Sequence, residues 1–111
     1  MTVRKDIYQQ LKAQAGVQLY IEARMGAEKM RVYALTPFDT DQQKFYESTL
    51  YDDTAASDEL CTAKAIAYNT FVIGGIIASL VKKYLMHQPI PRELIFNLDN
   101  YSFLKGKELT F

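Results

Sequence analysis

Tryptophan is missing from this chain of 111 residues, cysteine and histidine occur once each, and proline occurs three times. A single thiol, Cys61, excludes an internal disulfide and any zinc or iron–sulfur site built on several thiolates, so the expected compartment is reducing and cytoplasmic. Net charge is missing as well: thirteen basic residues balance thirteen acidic ones, and neither sign forms a long block. That balance leaves no electrostatic footprint for a nucleic-acid backbone or an anionic membrane surface. The N-terminal residues carry no apolar signal core, and the apolar run 71–81 is shorter than the roughly 20 residues a membrane-spanning helix requires. No GxGxxG or P-loop pattern is present to cradle a phosphate, and the carboxylates match no calcium-loop spacing, so no metal site is expected.

What is present suits one compact unit. Hydrophobic residues make up 49% of the chain, enough for one core and too few residues in all for two, which predicts a single domain over 1–111. Val3, Ile7, Leu11 and Ala15 recur at four-residue spacing, the stripe of an amphipathic helix stopped by Gly16. From 17 to 23 the pattern becomes alternation, with Leu19, Ile21 and Ala23 on one face and Gln18, Tyr20 and Glu22 on the other. Residues 30–35 repeat it, and Met25-Gly26-Ala27 is the natural turn between two strands, Gly26 supplying a positive φ where one is needed. Pro37 closes this unit. Residues 36–59 are polar, aromatic and acidic, and read as a long loop with a short helix around 42–48.

Residues 62–86 form the longest helical pattern, with Asp58 as its N-cap, Cys61 at its start and Lys82 and Lys83 in its last turn, the charge order a helix dipole favours. Its middle is apolar on nearly every side, which predicts burial, and Gly74-Gly75 predicts close approach of another backbone. Residues 94–98 read as a strand and Asp99-Asn100 as a turn. Residues 101–104 and 108–111 then read as a strand interrupted by Lys105-Gly106-Lys107.

Cys61 is the one nucleophile this pattern singles out. A helix N-terminus and Lys64 favour the thiolate, whereas Asp58 and Glu59 oppose it, so the residues leave open whether Cys61 is reactive or a small buried hydrophobe. His87 offers no help, because a continuous helix at ~1.5 Å per residue would hold it roughly 39 Å from Cys61. It reads as a helix-end cation or a solvated side chain.

The order of these elements resembles a known family. Val3-Arg4 opening a helix, a strand ending in Arg24-Met25-Gly26-Ala27-Glu28, a second strand, a long loop, Cys61-Thr62-Ala63 opening a glycine-containing apolar helix, and then 93–99 look like the C-terminal half of the ubiquitin-activating type of adenylating domain, the ThiF and MoeB family. The resemblance implies an α/β fold in which a small mixed β-sheet packs against a long central helix, the C-terminal portion of a Rossmann-like activating-enzyme domain. It implies that Cys61 is the thiol receiving the activated carrier, that 50–60 is the crossover loop, and that Arg4 is the arginine following the family's metal-binding aspartate, a cofactor-binding position. The family's nucleotide-binding glycine motif, its ATP-contacting arginine and lysine, its magnesium-holding aspartate and its paired CxxC zinc ligands have no counterpart here, and 46–49 occupies the place of the first CxxC.

ATP and magnesium therefore belong to the complete family domain and not to this chain. The resemblance implies a partial domain, inactive alone, completed by a nucleotide-binding half and acting on a ubiquitin-like or sulfur-carrier protein. A reading from a different class is a stand-alone interaction or self-association module, a homo-oligomer in the simplest case, whose apolar helix and sheet surfaces bind a partner. A redox carrier is disfavoured because no resolving cysteine exists.

Overall fold

A computed structural model of the chain describes residues 2–14, 16–26, 29–50 and 67–110. Helix α1 spans Thr2–Lys12, strands β1 and β2 span Tyr20–Gly26 and Lys29–Leu35, and helix α2 spans Thr40–Ser48. Helix α3 spans Ala67–Leu85, and four short strands follow: β3 Ile90–Pro91, β4 Glu93–Asn97, β5 Ser102–Lys105 and β6 Glu108–Leu109. The result is a small α/β fold, with a long helix packed on a small sheet. That sheet runs in the order β1-β2-β4-β5, and each of its pairings is antiparallel, where a mixed sheet was expected. Antiparallel pairing brings Gly26 opposite Lys29 and Asn97 opposite Ser102, so each pair of strands is consecutive in the chain and separated by few residues.

Register settles which side chains share a face. Met30 lies opposite Phe96 and Val32 opposite Leu94, so these four point the same way, toward α3. Ile73 and Leu80 of α3, seven residues apart and therefore on one side of the helix, close this core. Leu19, Ile21 and Ala23 join it as the alternation predicted. The opposite face carries Tyr20, Glu22, Tyr33 and Leu35 and is covered by α1 and α2, with Tyr8 and Tyr46 buried against it. The sheet is thus enclosed on both faces at its β1–β2 end.

Several expectations need correction. The packed side of α1 is not the Val3, Ile7 stripe. Val3 is 70% exposed and Tyr8 only 1%, because Tyr8 buries more surface and its hydroxyl finds a partner in Glu47 at 3.0 Å. The helix also stops at Lys12, closed by the short-turn bonds Ala13 N–H to Gln10 O and Gln14 N–H to Leu11 O, before Gly16 is reached. Neither Gly16 nor Gly26 has a positive φ, and β1 runs through Gly26.

The left-handed positions fall instead on His87 and Tyr101. His87 ends α3: Gln88 N–H bonds Lys83 O at 2.9 Å and His87 N–H bonds Tyr84 O at 3.0 Å, the paired reverse bonds of a Schellman cap. Tyr101 closes the β4–β5 turn, where the Asn97 and Asn100 side chains accept from the backbone N–H groups of Asp99 and Ser102. The short helix expected near 42–48 is α2, capped by Asp39, whose carboxylate accepts from Gln42 N–H at 3.1 Å.

The close approach expected at Gly74-Gly75 is not found. Apart from the chain neighbours and the helix's own backbone, no heavy atom of the described residues lies within 4 Å of a Cβ built at either glycine, and Phe71, on the same side of α3, is 81% exposed. Among the described residues, α3 packs on one side only, through Asn69, Ile73 and Leu80. Gly75→Ala should accordingly stabilise the chain by about 1 kcal/mol through helix propensity, where a packed backbone would have made it destabilising. Chemical denaturation of the single variant checks the sign.

Candidate functional site

The densest set of chemistry-bearing side chains among the described residues centres on Glu22. Alternation along β1 points Tyr20, Glu22 and Arg24 to the face that α1 and α2 cover, so a carboxylate that sequence pattern assigns to a polar face is buried. Its Oε1 accepts from Arg24 Nε at 2.6 Å and from Arg4 Nε at 2.9 Å. Its Oε2 accepts from the Tyr20 hydroxyl at 3.1 Å and from the Tyr46 hydroxyl. Two charge-assisted bonds on one oxygen and two phenolic bonds on the other occupy the lone pairs of the carboxylate.

Arg24 carries the network onward. Its Nη1 donates to Thr49 O at 2.9 Å and its Nη2 to Thr49 Oγ1 at 3.0 Å, which fixes the C-terminal end of α2. Its guanidinium lies 4.5 Å from the centre of the Tyr33 ring. Burial disfavours the Arg24 charge, and the hydrogen bond and negative charge of Glu22 more than offset it, so its pKa is raised. At the outer rim, Glu47 accepts from Tyr8 and from Lys12 at 3.1 Å. The Lys12 bond first, and the Tyr8 bond second, lower its pKa.

The tyrosines respond in the opposite sense. Burial first, then hydrogen bonding to a carboxylate, raises Tyr46 and Tyr8 well above the ordinary 10.0, and burial with the Glu22 charge raises Tyr20. A folded pKa above the unfolded one contributes stability that is complete below pH 10.0 and is lost as pH rises further. In a titration of the eight tyrosines, Tyr8, Tyr20 and Tyr46 should therefore ionise only in step with base-induced unfolding. Phenolate absorbance followed beside circular dichroism checks this, and ionisation of all eight before any loss of structure would refute it.

Arg4, the cofactor-binding position of the resemblance, sits in the first turns of α1 with its Nε held by Glu22. Cys61 lies outside the described residues, as do Asp58, Glu59 and Lys64, so the catalytic-thiol expectation rests on sequence. Of the segment matched to the crossover loop, only Leu50 is described, packed against the tyrosine cluster. Residues 46–49, which take the place of the first CxxC, instead supply Tyr46, Glu47 and Thr49 to the networks around Glu22 and Tyr8. Among the described residues no group of three or more His, Cys, Asp or Glu side chains is placed to hold a metal ion, and no helix is long and apolar enough to cross a membrane.

Glu22, Arg24, Tyr20, Tyr46 and Thr49 escaped sequence reasoning. The available signal was the count of tyrosines, since phenols need both apolar surroundings and a polar partner. Comparison with family models, curated proteins and solved structures returned no match.

Proposed function

We propose that this chain is an interaction module that binds a protein partner or a second copy of itself. The observation that carries the reading is the contrast between its two kinds of surface. The polar cluster at Glu22 is turned inward and its hydrogen bonds are taken, which suits a tether between α1, β1 and α2 better than a reaction centre. Large apolar side chains meanwhile stand outward, on α3 and its C-terminal turn at Phe71, Leu85 and Met86, and on the β4–β5 hairpin at Tyr101, Phe103 and Leu104. Contiguous exposed apolar surface is the usual mark of an interface, and Leu85 beside Met86 at the end of α3 supplies an adjacent pair of it.

A narrower reading makes the partner the nucleotide-binding half of a ThiF-type enzyme and a ubiquitin-like or sulfur-carrier protein. It is supported by the element order and by Cys61. With Arg4 engaged by Glu22, the described residues do not make a nucleotide site, and no step through ATP or magnesium is derived for this chain. Sedimentation over a wide concentration range, with binding of a hydrophobic dye, tests the broad reading. Association or dye binding by the folded chain is the expected result, and a compact monomer that binds no dye at high concentration overturns it.

A further inference from the structure

The pairings of the last four strands keep one register across two sheets, β4 with β5 in the larger and β3 with β6 in the smaller. Leu94 lies opposite Lys105 and Asn97 opposite Ser102, while Ile90 lies opposite Leu109 and Pro91 opposite Glu108, all in the same register. The bonds Gly106 N–H to Glu93 O and Arg92 N–H to Lys107 O, both 2.8 Å, bridge the gap between the two short sheets. Residues 90–97 and 102–109 therefore form a single bent hairpin, and 102–109 is its outer strand. Among the described residues β5 pairs only with β4 and β6 only with β3, so this strand is an edge of the sheet.

Edges of this kind are commonly blunted by proline, by lysine and other charges, by short length or by a covering element, and here the blunting falls on Lys105, Lys107 and Glu108 at one end of the strand. Residues 102–109 contain no proline, and Phe103 and Leu104 stand 57% and 64% exposed on its two faces. Lys105 is already engaged by Glu108 at 2.8 Å, which leaves Lys107 and, at the hairpin tip, Asp99 as exposed charges with no ion-pair partner among the described residues.

We infer that this edge pairs with the same edge of a second copy, antiparallel about a two-fold axis at Phe103, joining two four-stranded sheets into one. The inference rests on the interaction-module reading and names its partner. A two-fold axis perpendicular to the sheet keeps each face on its own side, so the axis must pass through a residue pair of like number. Centred on Lys105, it would set two lysines directly opposite, which is unfavourable. Centred on Leu104, it sets Lys107 opposite Tyr101 and pairs no opposite charges.

Centred on Phe103, it extends the existing stack of Phe96 on Phe103, whose ring centres are 5.7 Å apart with planes at 20°, through Phe103 of the second copy. In that register Lys105 of the second copy faces Tyr101, and Lys107 of the second copy comes alongside the hairpin tip that carries Asp99. The charge contact occurs twice, once on each side of the axis. A centre at Ser102 would set Lys105 opposite Asp99 and Phe103 opposite Tyr101, but Lys105 is already paired with Glu108, so Phe103 is the centre that continues the Phe96–Phe103 stack and uses the unpaired charges.

Charge exchange tests the register. Analytical ultracentrifugation of the full chain should show a monomer–dimer equilibrium that weakens with salt. Asp99→Lys and Lys107→Asp should each weaken the dimer by about tenfold, and the double variant should restore it, as expected of rim charges that meet only across the interface. Phe103→Asp should leave a folded monomer, with far-ultraviolet circular dichroism unchanged.

A dimer indifferent to all four variants would overturn the edge pairing while leaving the interaction-module reading in place. So would open chains growing with concentration, the signature of head-to-tail pairing between different edges. A monomer that binds hydrophobic dye would overturn the second copy as partner, and a monomer that binds none would remove the broader reading with it.

Discussion

Glu22→Gln should destabilise the fold by about 3–5 kcal/mol, a large share of the 5–15 kcal/mol that a small domain typically has. The amide keeps the size of the side chain and one acceptor oxygen, so packing of the Tyr20 and Tyr46 rings against it should change little. What changes is charge. Arg24, whose side chain is 12% exposed, would keep its guanidinium buried with no carboxylate opposite it, and Arg4 would lose the partner that holds α1 to the sheet.

The comparison that isolates this effect is Glu47→Gln. That variant removes the carboxylate from an ion pair whose side chains are 32% and 44% exposed, and solvent screening should hold its cost to less than about 1 kcal/mol. Chemical denaturation of the two variants with equal slopes gives the difference directly. Equal losses would mean that water reaches Arg24 and that the Glu22 cluster does not tie α1 and α2 to the sheet.

The burial of Glu22 also explains where sequence reading succeeded and where it failed. The alternation in 17–23 and 30–35 placed Ile21, Ala23, Met30, Val32 and Ala34 on one face correctly, because a period of two is set by the backbone and needs no knowledge of partners. The same alternation put Tyr20 and Glu22 on the other face without saying what covers it. Antiparallel sheets often have one solvated face, and nothing local says that α1 and α2 will return to cover it. The evidence for that return lies in pairs far apart in sequence, such as Tyr46 with Glu22 and Tyr8 with Glu47.

For α1, a four-residue stripe of small aliphatics competed with a tyrosine one position away. The tyrosine prevailed because ring area and a hydroxyl partner outweigh Val3 and Ile7. The interruption read at Lys105-Gly106-Lys107 is present, since β5 ends at Lys105 and β6 begins at Glu108 in a second sheet; what the sequence did not show is that both keep one register against 90–97. The thiol at Cys61 and the reading of the chain as half of an adenylating enzyme rest on motif order alone.

Leu80→Ala should cost about 2–5 kcal/mol, whereas Leu85→Ala should fall within about 0.5 kcal/mol of the parent chain. Composition alone would rank the two equally, since both are leucines in one apolar helix. Leu80 is 3% exposed, sits on the side of α3 that carries Ile73, and closes the core formed by Met30, Val32, Leu94 and Phe96. Removing its branched end leaves a cavity that the sheet beneath cannot collapse to fill, because four antiparallel strands hold that surface at fixed spacing.

Leu85 is 68% exposed in the last turn, so truncation removes little buried area. The ratio of the two losses measures how one-sided the docking of α3 is in solution. A large loss at Leu85, seen in dilute solution where association is absent, would mean that the outer side of α3 is covered by the chain itself. Phe71 and the Gly74-Gly75 surface would then no longer be free for a partner.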